Sequence, residues 1–335
     1  MYSVDLTVIW AFLIAFAVIT YVILDGFDLG TGILFPFLGN GTNRDIAMNS
    51  VAPIWDGNET WLILGGGGLF AVFPLAYAII MPAIYAPIIV MLLALIFRGV
   101  AFEYRFKTER GRWLWDVSFF IGSLFAAFSQ GIALGTLVQG IEVEGRAYAG
   151  GWWDWLTPFS IATGLAVVFG YALLGATWLV MKTEGEIAGI ARRYALLLGV
   201  ITLCAIGGVS LWMPFLEDEF FARWFALPEF FYVMPVPIFT AFAAFSLFHS
   251  LLTGGEIRPF ISALSLFVLG YVGIGICFWP FIIPPTVTIY EAAAPENSQI
   301  FLLVGASVLI PLILIYTAYA YWVFRGKVSA DTGYH

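Results

Sequence analysis

Residues 62–84 read LILGGGGLFAVFPLAYAIIMPAI, a stretch without one charged side chain, divided by little more than Phe73-Pro74. With its flanks it belongs to apolar sequence running from 51 to 100, and the fold turns on whether this is one segment or two. Proline lacks the N–H a helix needs and its ring clashes with the preceding turn, so the chain must break or turn there. About 49 unbroken helical residues would rise over roughly 70 Å, more than twice the hydrocarbon thickness of a bilayer. Two spans joined by a tight turn is the reading a membrane allows.

Outward from this pair, apolar runs of about 20 residues recur along the chain. Nine can be drawn, near 6–37, 51–73, 76–100, 115–140, 159–181, 194–214, 233–252, 259–283 and 299–324. Composition agrees: 61% of the 335 residues are hydrophobic and 11% charged, under half the roughly 25% charge of a soluble domain. The expected fold is an all-α polytopic membrane protein, with residues 1–335 forming a single integral membrane domain. Runs this long without period-2 alternation exclude barrel strands. A net charge of -8 leaves no basic face for nucleic acid. Aromatics, 18% of residues, suit both interfacial anchoring and interior packing.

The few cations test the count. With nine helices and an outer N-terminus, 12 of the 14 Lys and Arg residues, all but Arg146 and Arg223, fall on one side. That is a strong positive-inside bias and predicts a cytoplasmic C-terminus. Glu142, Glu144, Asp154, Glu217, Asp218, Glu219, Glu229, Glu291 and Glu296 then fall outside. The opening Met-Tyr-Ser-Val-Asp has no basic region ahead of the first apolar run, so that helix is expected to stay rather than be cleaved.

Cys204 and Cys277 lie in apolar runs with no C-x-x-C spacing and read as two buried small hydrophobes. The two histidines, His249 and His335, are too few and too scattered for a haem or metal site. Any redox chemistry this chain serves is therefore expected on a partner.

Inside a bilayer the informative side chain is the expensive one, because an acid at a helix centre costs about 2.5–3.5 kcal/mol. Asp25 and Asp28 sit three apart in LDGFDLGTG on the first run, and Asp56 and Glu59 three apart in WDGNETW on the second. At 1.5 Å per residue, Asp28 lies roughly 12 Å in from Pro36. The two pairs should meet at similar depth on antiparallel neighbours, toward the cytoplasmic side. No Lys or Arg lies in either run, so these acids are expected to share protons and water, the profile of a proton relay. The structural reading is that they are capping or protonated groups that lock helix ends together.

Gly26, Gly30, Gly32 and Gly65–Gly68 free surface for close helix packing, or for approach to a flat cofactor edge on a partner. Trp113, Trp115, Trp152, Trp153 and Trp155 read as interfacial anchors. The run from Arg98 to Lys107 reads as an inner-face anchor meeting anionic lipid.

The motifs Asp25-Gly26-Phe27-Asp28-Leu29-Gly30 and Asn49 to Leu62 (NSVAPIWDGNETWL) together resemble subunit II of the cytochrome bd quinol oxidases, including the cyanide-insensitive branch. Phe97 to Arg105 (FRGVAFEYR), Pro280 to Pro284 and Pro311 to Trp322 extend the resemblance, in order, along essentially the whole chain. It implies a bacterial cytoplasmic (inner) membrane complex that oxidises quinol and reduces dioxygen to water, taking protons from the cytoplasm without pumping. Haems b558, b595 and d and the quinol site would belong to subunit I, a one-to-one partner, often with a small single-span subunit. Subunit II would be needed for assembly of the haem site and inactive alone. Residue by residue, the resemblance implies a proton role for Asp56, a proton or structural role for Asp25, Asp28 and Glu59, and an oxygen-access role for Trp61.

The rival class is a proton-coupled secondary transporter, favoured by mid-membrane acids beside glycine-rich helices and disfavoured by the lack of an internal repeat.

Overall fold

The computed structural model describes residues 5–39 and 41–329. The opening Met1 to Val4 and His335 lie outside the described residues. Helix α1 (Leu6–Leu34) begins at Asp5, whose carboxylate accepts from the Val8 N–H at 3.2 Å, and runs on into a 3-10 turn at Phe35–Phe37. After α2 (Gly41–Val51), α3 (Trp55–Val72) and α4 (Pro74–Tyr104) are split where the sequence predicts. Phe73 leaves the helical region (φ -121°, ψ 61°), and Pro74 opens α4 at the position where its missing N–H has no helical acceptor to lose.

Then come α5 (Arg112–Val138), a hairpin of β1 (Val143–Glu144) and β2 (Ala147–Tyr148), α6 (Pro158–Lys182) and α7 (Gly185–Trp212). Short helices α8 (Asp218–Phe225) and α9 (Glu229–Val233) precede α10 (Pro235–Leu252) and α11 (Ile257–Phe278). A second hairpin, β3 (Phe281–Ile283) and β4 (Val287–Thr288), leads through α12 (Ile289–Ala292) to α13 (Glu296–Val323).

Among the described residues, 8 helices are long and apolar enough to cross a membrane. The predicted run 51–73 does not meet that description: its helix starts only at Trp55 and its first two turns carry Asp56, Asn58, Glu59 and Thr60. α3 packs along α1 and against α4, in a bundle whose two ends carry distinct polar contacts. At one end Arg44 pairs with Asp116, Arg105 with Asp45, and Lys327 with Glu256. At the other, the Ala294 N–H donates to the Val72 carbonyl and Tyr290 to Asp5.

Three boundaries depart from the hydropathy reading for physical reasons. α7 starts at Gly185 rather than near 194, because Glu186, Arg192 and Arg193 are polar residues of a helical turn. α2 is a helix where no apolar run marks one. α11 stops at Phe278, and the apolar residues that follow Pro280 form strand β3 rather than more helix.

α1 is central, packed against α3, α5 and α6. The α1–α6 crossing is a glycine contact: a Cβ on Gly30 would overlap the Tyr171 carbonyl, and one on Gly175 would overlap the Gly30 backbone. Close packing therefore explains Gly30, but Gly66 and Gly67 have nothing within 4 Å and face outward. Cys277 is buried, with the Trp224 indole N–H donating to its sulfur at 3.0 Å. Cys204 corrects the expectation of two buried thiols: it is exposed on α7, a helix whose outer face meets no other part of the chain.

Candidate functional site

Asp25 and Asp28 are one turn apart on α1 and both fully buried. From α4, Arg98 reaches between them. Its Nη1 lies 2.7 Å from Asp25 Oδ1 and 2.9 Å from Glu59 Oε1 on α3, and its Nη2 lies 3.7 Å from Asp28 Oδ2. The expectation that these acids lack a cation is thus corrected: the cation comes from the third apolar run, not from the runs that carry the acids. Arg98 is also no lipid anchor. Its side chain is 0% exposed and lies beside the stacked pair of Trp55 and Phe102, 5.7 and 5.8 Å from their ring centroids.

Small residues make room for this. A Cβ on Gly122 of α5 would press on the Ala94 carbonyl at 2.6 Å and on Arg98 itself, and Gly99 lets the Trp55 ring lie against α4. Burying a guanidinium is costly unless charges and hydrogen bonds compensate it, and here three carboxyl groups from two helices do so.

A second set of side chains surrounds the acids. Asn58 is buried one turn into α3, and its Nδ2 donates to Asp28 Oδ2 at 2.6 Å and to the Leu24 carbonyl at 3.3 Å. Tyr321 of α13 donates to Asn58 Oδ1 at 3.0 Å. On the other side, Tyr171 of α6 donates to Gln130 Oε1 of α5 (2.7 Å), and Gln130 Nε2 donates to the Tyr21 hydroxyl (2.8 Å), which lies against Asp25.

The structure thus brings Asp25, Asp28 and Glu59 together but leaves Asp56 apart. Asp56 sits in the first turn of α3, exposed, while the Glu59 side chain is 24% exposed. Trp61 is fully buried in the α1–α3 seam beside Ala17 and Tyr21, edge-on to Phe16 at 5.7 Å.

The charged run after Arg98 is likewise structural at Arg105, which is buried and bridges Asp45 (2.7 Å) and Asp116 (2.5 Å). Arg44 and Arg112 complete that cluster, at 3.0 Å from Asp116 and 2.6 Å from Asp45. Lys107 alone of the pairs here fits an exposed anchor, with 72% of its side chain open.

Sequence reading missed Arg98, Asn58, Tyr321, Tyr21 and Gln130 as parts of the site. One signal was available for Arg98: a cation followed by Gly-Val-Ala-Phe, more helical sequence, lies inside the helix end rather than on it. Among the described residues no group of three or more His, Cys, Asp or Glu side chains could hold a metal ion.

Membrane-length helices packed around a buried arginine–carboxylate cluster define a multi-pass membrane protein with protonatable groups at depth. Residues 6–324 match the family described as cytochrome bd terminal oxidase subunit II. The chain is 32% identical to cytochrome bd-I ubiquinol oxidase subunit 2 of Escherichia coli (strain K12), over 96% of this chain and 95% of that one. It is 29% identical to cytochrome bd ubiquinol oxidase subunit 2 of Bacillus subtilis (strain 168), over 96% of each. Its fold is similar to a chain of the bd oxidase from Geobacillus thermodenitrificans, with a TM-score of 0.74 at 19% identity, covering 96% of this chain and 99% of that one. The chain belongs to the cytochrome bd terminal oxidase subunit II family. That membership decides against the transporter reading.

Proposed function

We propose that this chain is the haem-free subunit II of a quinol:oxygen oxidoreductase in the bacterial cytoplasmic membrane. It pairs one-to-one with a subunit I that holds haems b558, b595 and d, with room for a small single-span subunit and for lipid. Quinol and dioxygen are substrates of the complex, and the chain alone turns over neither. Nine spans, with the N-terminus outside and the C-terminus cytoplasmic, fit the alternation of helix ends and the collection of Arg44, Arg105, Arg112 and Lys327 at one end.

One observation carries the proton role: a buried carboxyl cluster whose outermost member, Glu59, is partly exposed and lies near exposed Asp56. The proton path is assigned to Asp56, Glu59, Asp28 and Asp25: protons taken from the cytoplasm at Asp56 pass to Glu59, which faces Asp28 and Asp25 across Arg98. Trp61, in an apolar seam, serves oxygen access.

The test is Asp56→Asn in the assembled complex. The expected result is normal haem content with oxygen consumption lowered roughly 10²-fold or more, as for loss of a positioned proton-transfer group, and a shifted pH profile. Unchanged turnover and pH profile would remove Asp56 from the path.

A further inference from the structure

The three carboxyl groups around Arg98 are not equivalent. Asp28 faces a donor whose direction is fixed. The Leu24 carbonyl can only accept, so the Asn58 amide must turn its nitrogen that way, and the same nitrogen donates to Asp28 Oδ2. The amide oxygen is already filled by the Tyr321 hydroxyl.

Asp25 is held differently. The Tyr21 hydroxyl accepts from Gln130 and lies against Asp25, whose two buried oxygens have no hydrogen-bond partner among the described contacts and whose charge partner is Arg98, 2.7 Å from Oδ1. The groups facing these two acids are Arg98 of α4, Glu59 of α3, Tyr21 of α1, Tyr171 of α6 and Tyr321 of α13. Arg98 only donates, and Tyr321 already donates to Asn58.

Glu59 has no such amide donor and is not enclosed. Its neighbours are Arg98, Asp25 and Asp56, no neutral donor among the described contacts points at it, and it alone of the three opens to the molecule's surface, at 24% against 0–1%. One guanidinium faces three acids, so charging all three would leave two negative charges uncompensated at low dielectric, which is costly.

We propose that Glu59 alone of the three takes up and releases protons, while Asp28, held by the positioning residue Asn58, and Asp25, enclosed against Arg98, remain standing carboxylate counter-ions of Arg98. This rests on the proton-path reading above and assigns its parts.

Infrared difference spectroscopy of the purified complex across pH, in water and in heavy water, tests it. The wild type shows a titrating, deuterium-sensitive band of protonated carboxyl that Glu59→Gln removes. Asn58→Ala, which takes the donor from Asp28, adds a second such band. A band retained in Glu59→Gln overturns the assignment, and no second band in Asn58→Ala overturns the positioning role. Should Glu59→Gln not assemble, Glu59→Asp moves the band in frequency, and an unmoved band overturns the proposal. Oxygen consumption in the same variants separates the two readings: a lost band with normal turnover refutes the proton path and leaves the Glu59 assignment standing.

Discussion

Arg98 has the most demanding environment of any single side chain here, with no solvent contact and three acids within 4 Å. Removing one partner of a buried ion pair costs about 3–5 kcal/mol, because the remaining charges stay buried. Arg98→Met is therefore expected to lower the melting temperature of the detergent-solubilised complex sharply, more than Lys107→Met, whose salt bridge to Glu103 is exposed. Equal melting temperatures for the two variants would show that the acids do not need Arg98. The acids were legible in the sequence because a carboxyl inside an apolar run is conspicuous. Arg98 was not, since a cation near the end of such a run looks the same whether its side chain points out to lipid or in between helices. Asp56 and Glu59 show the related limit. Residues three apart differ by about 60° around a helix, enough at the edge of the bundle to leave one exposed and turn the other inward. The same spacing on central α1 buries both Asp25 and Asp28.

At the scale of elements, the α1–α6 crossing depends on backbones that touch. Gly175→Val would push a branched side chain into Gly30, and overpacking of this kind costs about 1–3 kcal/mol. Lower yield and a lower melting temperature are expected, whereas Gly66→Ala, with open space around it, should leave both unchanged. A Gly175→Val complex as stable as wild type would mean the crossing is looser than drawn. Outside the membrane, α12 is held by a capping box in which Thr288 N–H and Oγ both donate to Glu291 Oε2 at 2.8 Å. These bonds hold the Glu291 carboxyl below the ordinary glutamate range. A group whose folded-state pKa is depressed stabilises above its unfolded value, and the contribution disappears as pH falls through the folded one. Hydrogen-exchange protection at Thr288 should therefore be highest above about pH 4 and fall on further acidification. Glu291→Gln should flatten that dependence, and an unflattened profile would assign it to another group.

At the scale of the whole molecule, the outer faces of α10 and α13 are rows of exposed large apolar side chains, among them Phe239, Phe242, Phe301 and Leu312. In water such rows would aggregate, whereas a bilayer or the haem-bearing partner can cover them. If the chain supports the partner's haem site, membranes lacking it should lose the haem d absorption band, and a normal band without it would contradict the assembly role.

The sequence by itself determined the membrane class, the long helices, the break at Phe73-Pro74 and the scarce acids of the first two apolar runs. Apolar length and the cost of charge in lipid are local properties of a chain. Where polar helical turns such as 41–51 and 185–193 began was not legible, because hydropathy does not distinguish a polar turn of helix from a loop. Only the tertiary structure decided that Arg98 joins Asp25, Asp28 and Glu59, that Arg105 faces inward, and that Asp56 stands outside the cluster. Those outcomes depend on the rotation of each helix about its axis, and that rotation is set by which neighbours, through residues such as Gly122 and Gly175, can come close enough to touch.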